Sequence, residues 1–77
     1  MTREEIENKV RDCLSEAMQD VDPDNFTSST HIVDDLLADE LDVLEFIVGL
    51  EATFVIDIPD EDIPRLHIIS DAVDYVA

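Results

Sequence analysis

Positions 31–42 of the chain read HIVDDLLADELD, and this stretch decides the fold because it leads into a helix with two apolar faces. Asp39 is a good N-cap, since an aspartate side chain accepts hydrogen bonds from the N–H groups of a first helical turn. The apolar residues that follow recur at helical spacing and predict a helix that runs to about Phe54. At 100° per residue, one side of this helix is predicted to face the core and carries Val43, Phe46, Ile47, Leu50 and Phe54.

A second apolar stripe, formed by Leu41, Leu44 and Val48, falls on roughly the opposite side of the same helix. A domain this small can rarely bury both sides of a helix, so we expect this stripe to be exposed. Carboxylates lie around it, and acidic charge speeds the encounter with a basic partner while apolar burial holds the complex. The predicted partner-binding residues are Glu40, Leu41, Asp42, Leu44, Glu45, Val48 and Glu51.

The N-terminal segment predicts a first amphipathic helix and then a loop. Thr2 followed by Glu5 is a capping-box signature, and the helix is expected to end near Met18. Residues 20–30 are rich in turn formers and predict a loop anchored by Val21 and Phe26. The inward side of the helix is expected to carry Ile6, Val10, Cys13, Leu14 and Ala17.

The C-terminal third predicts short helical segments rather than a sheet. Residues 55–59 could pass for a strand, but Pro59 and the lack of a second strand argue against one. Residues 60–63 are expected to make only a helical turn before Pro64. A last helix is predicted over 67–76, although Ser70 could cap it later, with Ile69, Ala72, Val73 and Val76 inward. The result is an all-α fold in one domain over residues 1–77.

Charge is segregated along the chain, which has a formal net charge of -17. From Asp12 to Pro64, with Asp12 included, there are sixteen carboxylates and no lysine or arginine. Such a field repels nucleic acid and anionic membranes and steers basic-surfaced partners toward the protein. The ordinary explanation of an acidic surface is solubility, which does not account for this segregation. With one cysteine, no signal peptide and no membrane-spanning run, we expect a cytoplasmic monomer that binds neither nucleic acid nor membrane.

We find no catalytic constellation in the sequence and therefore predict that the protein is not an enzyme. Cys13 lies on the apolar face of the first helix and is expected to be a buried structural thiol. His31 and His67 have no partner residues at metal-site spacing, so packing or surface positions are expected for them. Gly49, the one glycine, is placed mid-helix, where it permits close packing or leaves space beside a pocket.

No strong metal site is predicted. Residues 20–25 begin like a calcium-binding loop, but Asn25 and His31 occupy the positions where an EF-hand needs glycine and a bidentate glutamate. A calcium sensor is therefore the weakest of the functions considered. Weak binding of divalent cations is expected at the clustered carboxylates of Asp34, Asp35, Asp39 and Asp42.

The stretch around Asp39 resembles the acyl carrier protein family. Residues 57–61, DIPDE, and 71–76, DAVDYV, are similar to the third- and fourth-helix segments of that family. The similarity covers nearly the whole chain, and its spacing from Asp39 to Pro59 needs no gaps. It implies a four-helix bundle with three longer helices and one short helix, in which helix two faces partner enzymes.

Two residues depart from the family pattern. The family motif is Asp-Ser-Leu, and its serine carries a phosphopantetheine arm, but this chain has Glu40 at the serine position. A glutamate has no hydroxyl to esterify, and the serines elsewhere lack the motif, so phosphopantetheine is expected to be absent. Leu37 stands where the family usually has glycine, so the loop has lost a flexible residue. The resemblance thus implies a carrier without its attachment point.

Two explanations of Glu40 stay open. A carboxylate in the first helical turn gains about 0.3–1 kcal/mol from the helix dipole. It would also partly imitate the phosphate of a phosphopantetheine ester. Three functions stay open as well: a module that binds enzymes of fatty-acid or polyketide metabolism without covalent chemistry, a true carrier whose serine was replaced, and an acidic decoy for a basic surface.

Overall fold

Four helical segments follow one another in the computed structural model, which describes residues 1–19, 21–22 and 26–77. They are α1 (Arg3–Ala17), α2 (Glu40–Phe54), a 3₁₀ helix (Asp60–Leu66) and α3 (Ile69–Val76). Across these described parts there is no strand, and extended pairing is limited to an isolated bridge between His31 and Ile68. The predicted all-α fold is confirmed. Among the described residues, no helix has the length and apolarity needed to cross a membrane.

The first helix begins and ends close to where the sequence predicts. The hydroxyl of Thr2 accepts a hydrogen bond from the Glu5 N–H at 3.2 Å and donates to the Glu5 carboxylate. This cap satisfies one of the N–H groups that a first turn leaves without a helical partner. The buried side of α1 carries Ile6, Val10, Cys13 and Leu14, with Ala17 packed at its edge.

A reciprocal pair of aspartates fixes the start of α2. Asp39 Oδ1 accepts the Asp42 N–H at 2.8 Å, and Asp42 Oδ2 accepts the Asp39 N–H at 3.2 Å, which makes a complete capping box. The predicted N-cap is therefore confirmed. The helix ends at Phe54, also as predicted, and the next residue, Val55, has a left-handed backbone.

The last helix starts two residues later than the predicted range of 67–76. The His67 carbonyl accepts the Ile32 N–H at 2.7 Å, and Ile68 is extended and pairs with His31. These backbone bonds to a loop distant in sequence hold residues 67 and 68 out of the helix. The alternative cap at Ser70 is wrong, because the Ser70 N–H donates to the Ser28 carbonyl within a helix that has already begun.

The short helix extends past Pro64, where it was expected to stop. Proline fixes φ near -65°, a value that a 3₁₀ helix also uses, so its ring does not end this segment. The continuation carries Leu66 into the core, where its side chain is fully buried.

One hydrophobic core joins these elements, and α1 packs against both α2 and α3. Phe26 is buried in it and Val21 packs at its edge, so both predicted loop anchors reach the core. The other predicted loop residues at 20 and 23–25, which include most of the calcium-loop-like segment, lie outside the described residues. The buried residues beyond α1 are Phe26, Ile32, Ala38, Val43, Phe46, Ile47, Leu50, Ile58, Leu66, Ile69, Ala72 and Val73.

Candidate functional site

The outer face of α2 exposes a row of apolar side chains. Leu41, Leu44 and Val48 are 60, 50 and 55% exposed, while the opposite side of the helix is buried. The structure therefore confirms the two faces expected from the sequence. Exposed apolar side chains that share one helix face offer contact area to a partner.

The four carboxylates assigned to this surface divide into two pairs. Glu40 and Glu45 are exposed. Asp42 is half-buried because it belongs to the capping box. Glu51 is also half-buried, and its Oε2 accepts the Ile58 N–H at 3.0 Å, which ties α2 to the segment after it. Glu40 and Glu45 are thus the carboxylates best placed to face a partner, while Asp42 and Glu51 also hold the fold.

Each end of α2 has a residue with a left-handed backbone. Leu37 lies just before the helix with a φ of 60°, and Val55 lies just after it with a φ of 54°. Their side chains are 81 and 88% exposed. Sequence reasoning noticed Leu37 because the related family has glycine there, but it missed Val55. The available signal was the helix end at Phe54, where glycine commonly follows.

A cleft of about 540 Å³ opens between the N-terminal half of α2 and the 3₁₀ helix. Asp39, Glu40 and Leu44 line this cleft and also a shallower depression on its outer side, beside Leu41. Asp39, Glu40 and Leu44 therefore border both hollows. The remaining cleft residues are Val33, Ala38, Val43, Asp60, Ile63, Pro64 and His67.

Two histidines that sequence reasoning treated separately meet beside the cleft. Their rings contact edge to face, with centroids 5.6 Å apart. Nδ1 of His31 accepts the N–H groups of Val33 and Asp34 at 3.2 and 3.0 Å, so this ring holds the turn before α2. Burial, followed by the neighbouring His31, lowers the pKa of His67 below its ordinary value. Both residues have packing roles, as expected.

The acidic cluster proposed for weak cation binding is partly engaged within the fold. Asp35 accepts the His31 N–H at 2.8 Å, Asp39 and Asp42 cap α2, and Asp34 is exposed. Within the described ranges, no group of three or more His, Cys, Asp or Glu side chains is arranged to hold a metal ion. Weak divalent binding at these aspartates stays a prediction.

Glu40 occupies the first position of α2 with an exposed side chain. A phosphodiester to a phosphopantetheine arm requires a hydroxyl at this point. Residues 31–52, which include the whole approach to α2 and most of the helix, contain no serine, threonine or tyrosine. The residues present therefore do not fit covalent attachment of that group.

Cys13 is a structural thiol at the contact between α1 and α2. Its Sγ lies 3.3 Å from the Thr53 hydroxyl, and burial raises the pKa of the thiol. A Cβ placed on Gly49 would lie 3.5 Å from the Cys13 Cβ, so the glycine sits directly against α1. Gly49 therefore lies at the contact between α1 and α2, at a distance that would also accept the methyl group of an alanine.

Several curated relatives of this sequence are acyl carrier proteins of similar length. It is 40% identical over 76 residues to the acyl carrier protein of Lactobacillus acidophilus, a match that covers 99% of this chain and 94% of the relative. The acyl carrier protein of Lactobacillus johnsonii is 41% identical over the same shares. That of Desulforapulum autotrophicum is 37% identical over 71 residues, or 92% of each chain. No protein-family model matches the sequence.

A solved structure shares the fold. The acyl carrier protein of Enterococcus faecalis superposes with a TM-score of 0.78 at 41% sequence identity. The match covers 99% of this chain and 95% of that one. The helical bundle predicted from the sequence is thereby confirmed.

Proposed function

The chain belongs to the acyl carrier protein family, whose members are carriers rather than enzymes, and from that premise we propose that it acts without a covalent arm. In this proposal it is a cytoplasmic monomer that binds enzymes of fatty-acid or polyketide metabolism through the outer face of α2. The observation that carries the proposal is Glu40, an exposed carboxylate at the first position of α2, beside an exposed apolar row.

Chemistry at Glu40 supports the absence of phosphopantetheine. The family motif gives this position to serine, and a carboxylate cannot take the serine's part in forming a phosphodiester. A negative charge at a helix N-terminus is favourable in itself and lies where the phosphate of a modified carrier would lie. Glu40 therefore keeps acidic character at the site while it removes the attachment chemistry.

The charge around α2 supports a basic partner. Between Asp12 and Pro64 there is no lysine or arginine to neutralise Glu40 and Glu45. Two of the arginines outside this stretch contact acids of their own, Arg3 with Asp74 and Arg65 with Asp62. Among the described residues, no ion pair joins an α2 carboxylate to a lysine or arginine, so complementary cations are expected from the partner, and long-range attraction would speed its approach.

A mass measurement tests the first half of the proposal. Incubation with coenzyme A and a broad-specificity phosphopantetheinyl transferase should leave the intact mass unchanged. The double variant Leu37→Gly/Glu40→Ser, which restores both family residues, should gain one phosphopantetheine unit. This positive control shows that the transferase accepts the scaffold. A gain of that unit by the natural sequence would overturn the proposal.

A binding measurement tests the second half. Purified components of fatty-acid and polyketide synthases serve as probes in titration calorimetry. Val48→Asp should abolish binding because it places an unpaired charge inside the interface. Asn8→Asp, which adds the same charge to an exposed position on α1, should leave binding intact. Failure of every component to bind the natural chain would refute the assigned partner class.

The same assay separates this proposal from an acidic decoy. Glu45→Lys should chiefly slow association, with an effect that fades as salt rises. Binding that depends on salt but ignores Val48→Asp would favour the decoy, because a decoy needs spaced charges more than apolar contacts. Binding that appears only after Glu40→Ser and modification would favour a true carrier whose serine was replaced.

A further inference from the structure

Leu37 and Val55 hold a backbone conformation that their side chains disfavour. Both have φ near +60°, a region that glycine enters freely and other L residues rarely occupy. Valine is especially unsuited to it, because a β-branched side chain crowds the backbone there. The two residues flank α2, one on each side.

The turns at these positions would form equally well with glycine. After Leu37, the Ala38 N–H donates to the Ile32 carbonyl at 2.9 Å. At the other end, the N–H groups of Val55 and Ile56 both donate to the Glu51 carbonyl and close the helix. These bonds use main-chain atoms alone, so the apolar side chains contribute nothing to them.

Folding does not account for the two side chains either. With 81 and 88% exposure, Leu37 and Val55 are the most exposed large apolar residues in the described parts of the chain. Strain that persists at an exposed position indicates a role outside the fold, in contact with another molecule. Two such positions, at opposite ends of one helix, indicate one extended contact.

The two residues lie at the two ends of the apolar row of α2. Leu41, Leu44 and Val48 follow the three- and four-residue spacing of a helix seam. Leu37 lies four residues before this row, in the segment that enters α2, and Val55 lines one depression together with Val48 at the other end. The 15 residues of α2 span about 22 Å, so the whole row is longer than the helix that carries most of it. A row of this length and spacing fits a helix of another protein laid along α2.

The charges beside the apolar row indicate which kind of partner helix would bind there. Glu40 and Glu45 lie next to it, and Asp35 and Asp57 are exposed near its two ends. We infer that Leu37 and Val55 extend the outer face of α2 into a seam that takes one amphipathic helix with basic residues along its edges. A second copy of this chain would set carboxylates against carboxylates. The inference rests on the proposed function, since it names the element that the same surface recognises.

A synthetic helix tests the inference. The probe is a 21-residue peptide of about three heptads, with leucine at a and d and lysine at e and g. The control peptide has glutamate at e and g and should not bind. Leu37→Ala and Val55→Ala should each weaken binding of the lysine peptide about tenfold, because each removes an apolar side chain from the seam.

Glycine variants separate the effect of losing the side-chain contact from the effect of relieving the backbone strain. Leu37→Gly and Val55→Gly should weaken binding as much as the alanine variants do, and should also melt at higher temperature, because only glycine relieves the left-handed strain. A glycine variant that is more stable but binds the peptide less tightly would show that the strained residue serves binding rather than folding. Affinity lost in the glycine variants alone would overturn the inference.

Three other results would each overturn the inference. If all four variants bind like the natural chain while Val48→Asp does not, the seam ends within α2, so the inference fails and the proposed function stands. If the natural chain does not bind the lysine peptide, the inference also fails, whatever the synthase components do. Self-association in sedimentation runs that Leu37→Ala removes would make a second copy the occupant and overturn the inferred partner.

Discussion

On one side of α2, Phe46 and Leu50 are fully buried, while on the other side Leu44 and Val48 remain at least half exposed. The two sides use the same kinds of residue, so their composition does not tell which faces the core. The exposed side has Glu40 and Glu45 beside it, and the buried side packs where Gly49 meets α1. The proposed function assigns the exposed side to partner binding and the buried side to the core, and predictions that contrast the two sides test this assignment.

The largest expected contrast is between two truncations on the same helix. Phe46→Ala should lower the free energy of unfolding by about 3–5 kcal/mol, because it leaves a cavity in the core. Leu44→Ala should change it by no more than about 0.5 kcal/mol, since its side chain is half exposed. Urea denaturation followed by circular dichroism measures both. Comparable losses in the two variants would place Leu44 in the core.

Removal of the N-cap of α2 should give the next largest effect on the free energy of unfolding. Asp39→Ala removes one half of the capping box and should cost about 0.5–2 kcal/mol. Thr2→Ala is the matched change at the start of α1, where the cap lies at an exposed chain end, and should cost less. The same denaturation assay compares them. A larger loss of stability for Thr2→Ala would contradict the expectation that the cap of α2 stabilises the fold more than the cap of α1 does.

Local pattern explains which parts of the fold could be predicted. The cap at Asp39, the end at Phe54 and the two faces between them follow from residues within one helix length, so the sequence alone indicates them. The start of α3 depends on hydrogen bonds between His67, Ile68 and a loop more than thirty residues away. Neither propensity nor spacing carries that information, which is why the predicted helix began too early.

The candidate site also has features that the sequence predicts and features that it does not. Exposure of the Leu41 row follows from periodicity and domain size, and the structure confirms it. The hydrogen bond from the Ile58 N–H to the Glu51 carboxylate depends on where the chain turns after α2, so the sequence does not predict it. Val55 was missed for another reason: the predicted helix end at Phe54 was a signal for a left-handed residue, but valine is not the residue type that usually takes that position.

A stabilising change is expected where the buried side of α2 meets α1. Gly49→Ala should raise the free energy of unfolding by about 0.5–1 kcal/mol, because alanine favours a helix interior over glycine. The added methyl group would make an ordinary van der Waals contact with Cys13 at 3.5 Å. Gly49→Leu is the control and should destabilise by overpacking. A destabilised alanine variant would show that the helices approach more closely than this contact indicates.

The smallest expected effect is a pH dependence at His67, which lines the same cleft as Glu40 and Leu44. Burial and then His31 lower its pKa below the ordinary 6.5, while Asp34 opposes the shift. The fold therefore favours neutral His67, and its contribution to stability is present above pH 6.5 and is lost as pH falls through the lowered pKa.

His67→Gln stays neutral at every pH and keeps the main-chain carbonyl that accepts the Ile32 N–H. Acids that share the cleft, such as Glu40 and Asp60, are common to both proteins, so their titration largely cancels in a difference. The stability of the natural chain relative to His67→Gln should fall between pH 7.5 and 5.5 in paired thermal melts. His31→Gln should reduce that fall, because it removes a neighbour that disfavours the charged ring. A difference that stays constant over this range would mean that His67 is protonated as easily in the fold as in the unfolded chain.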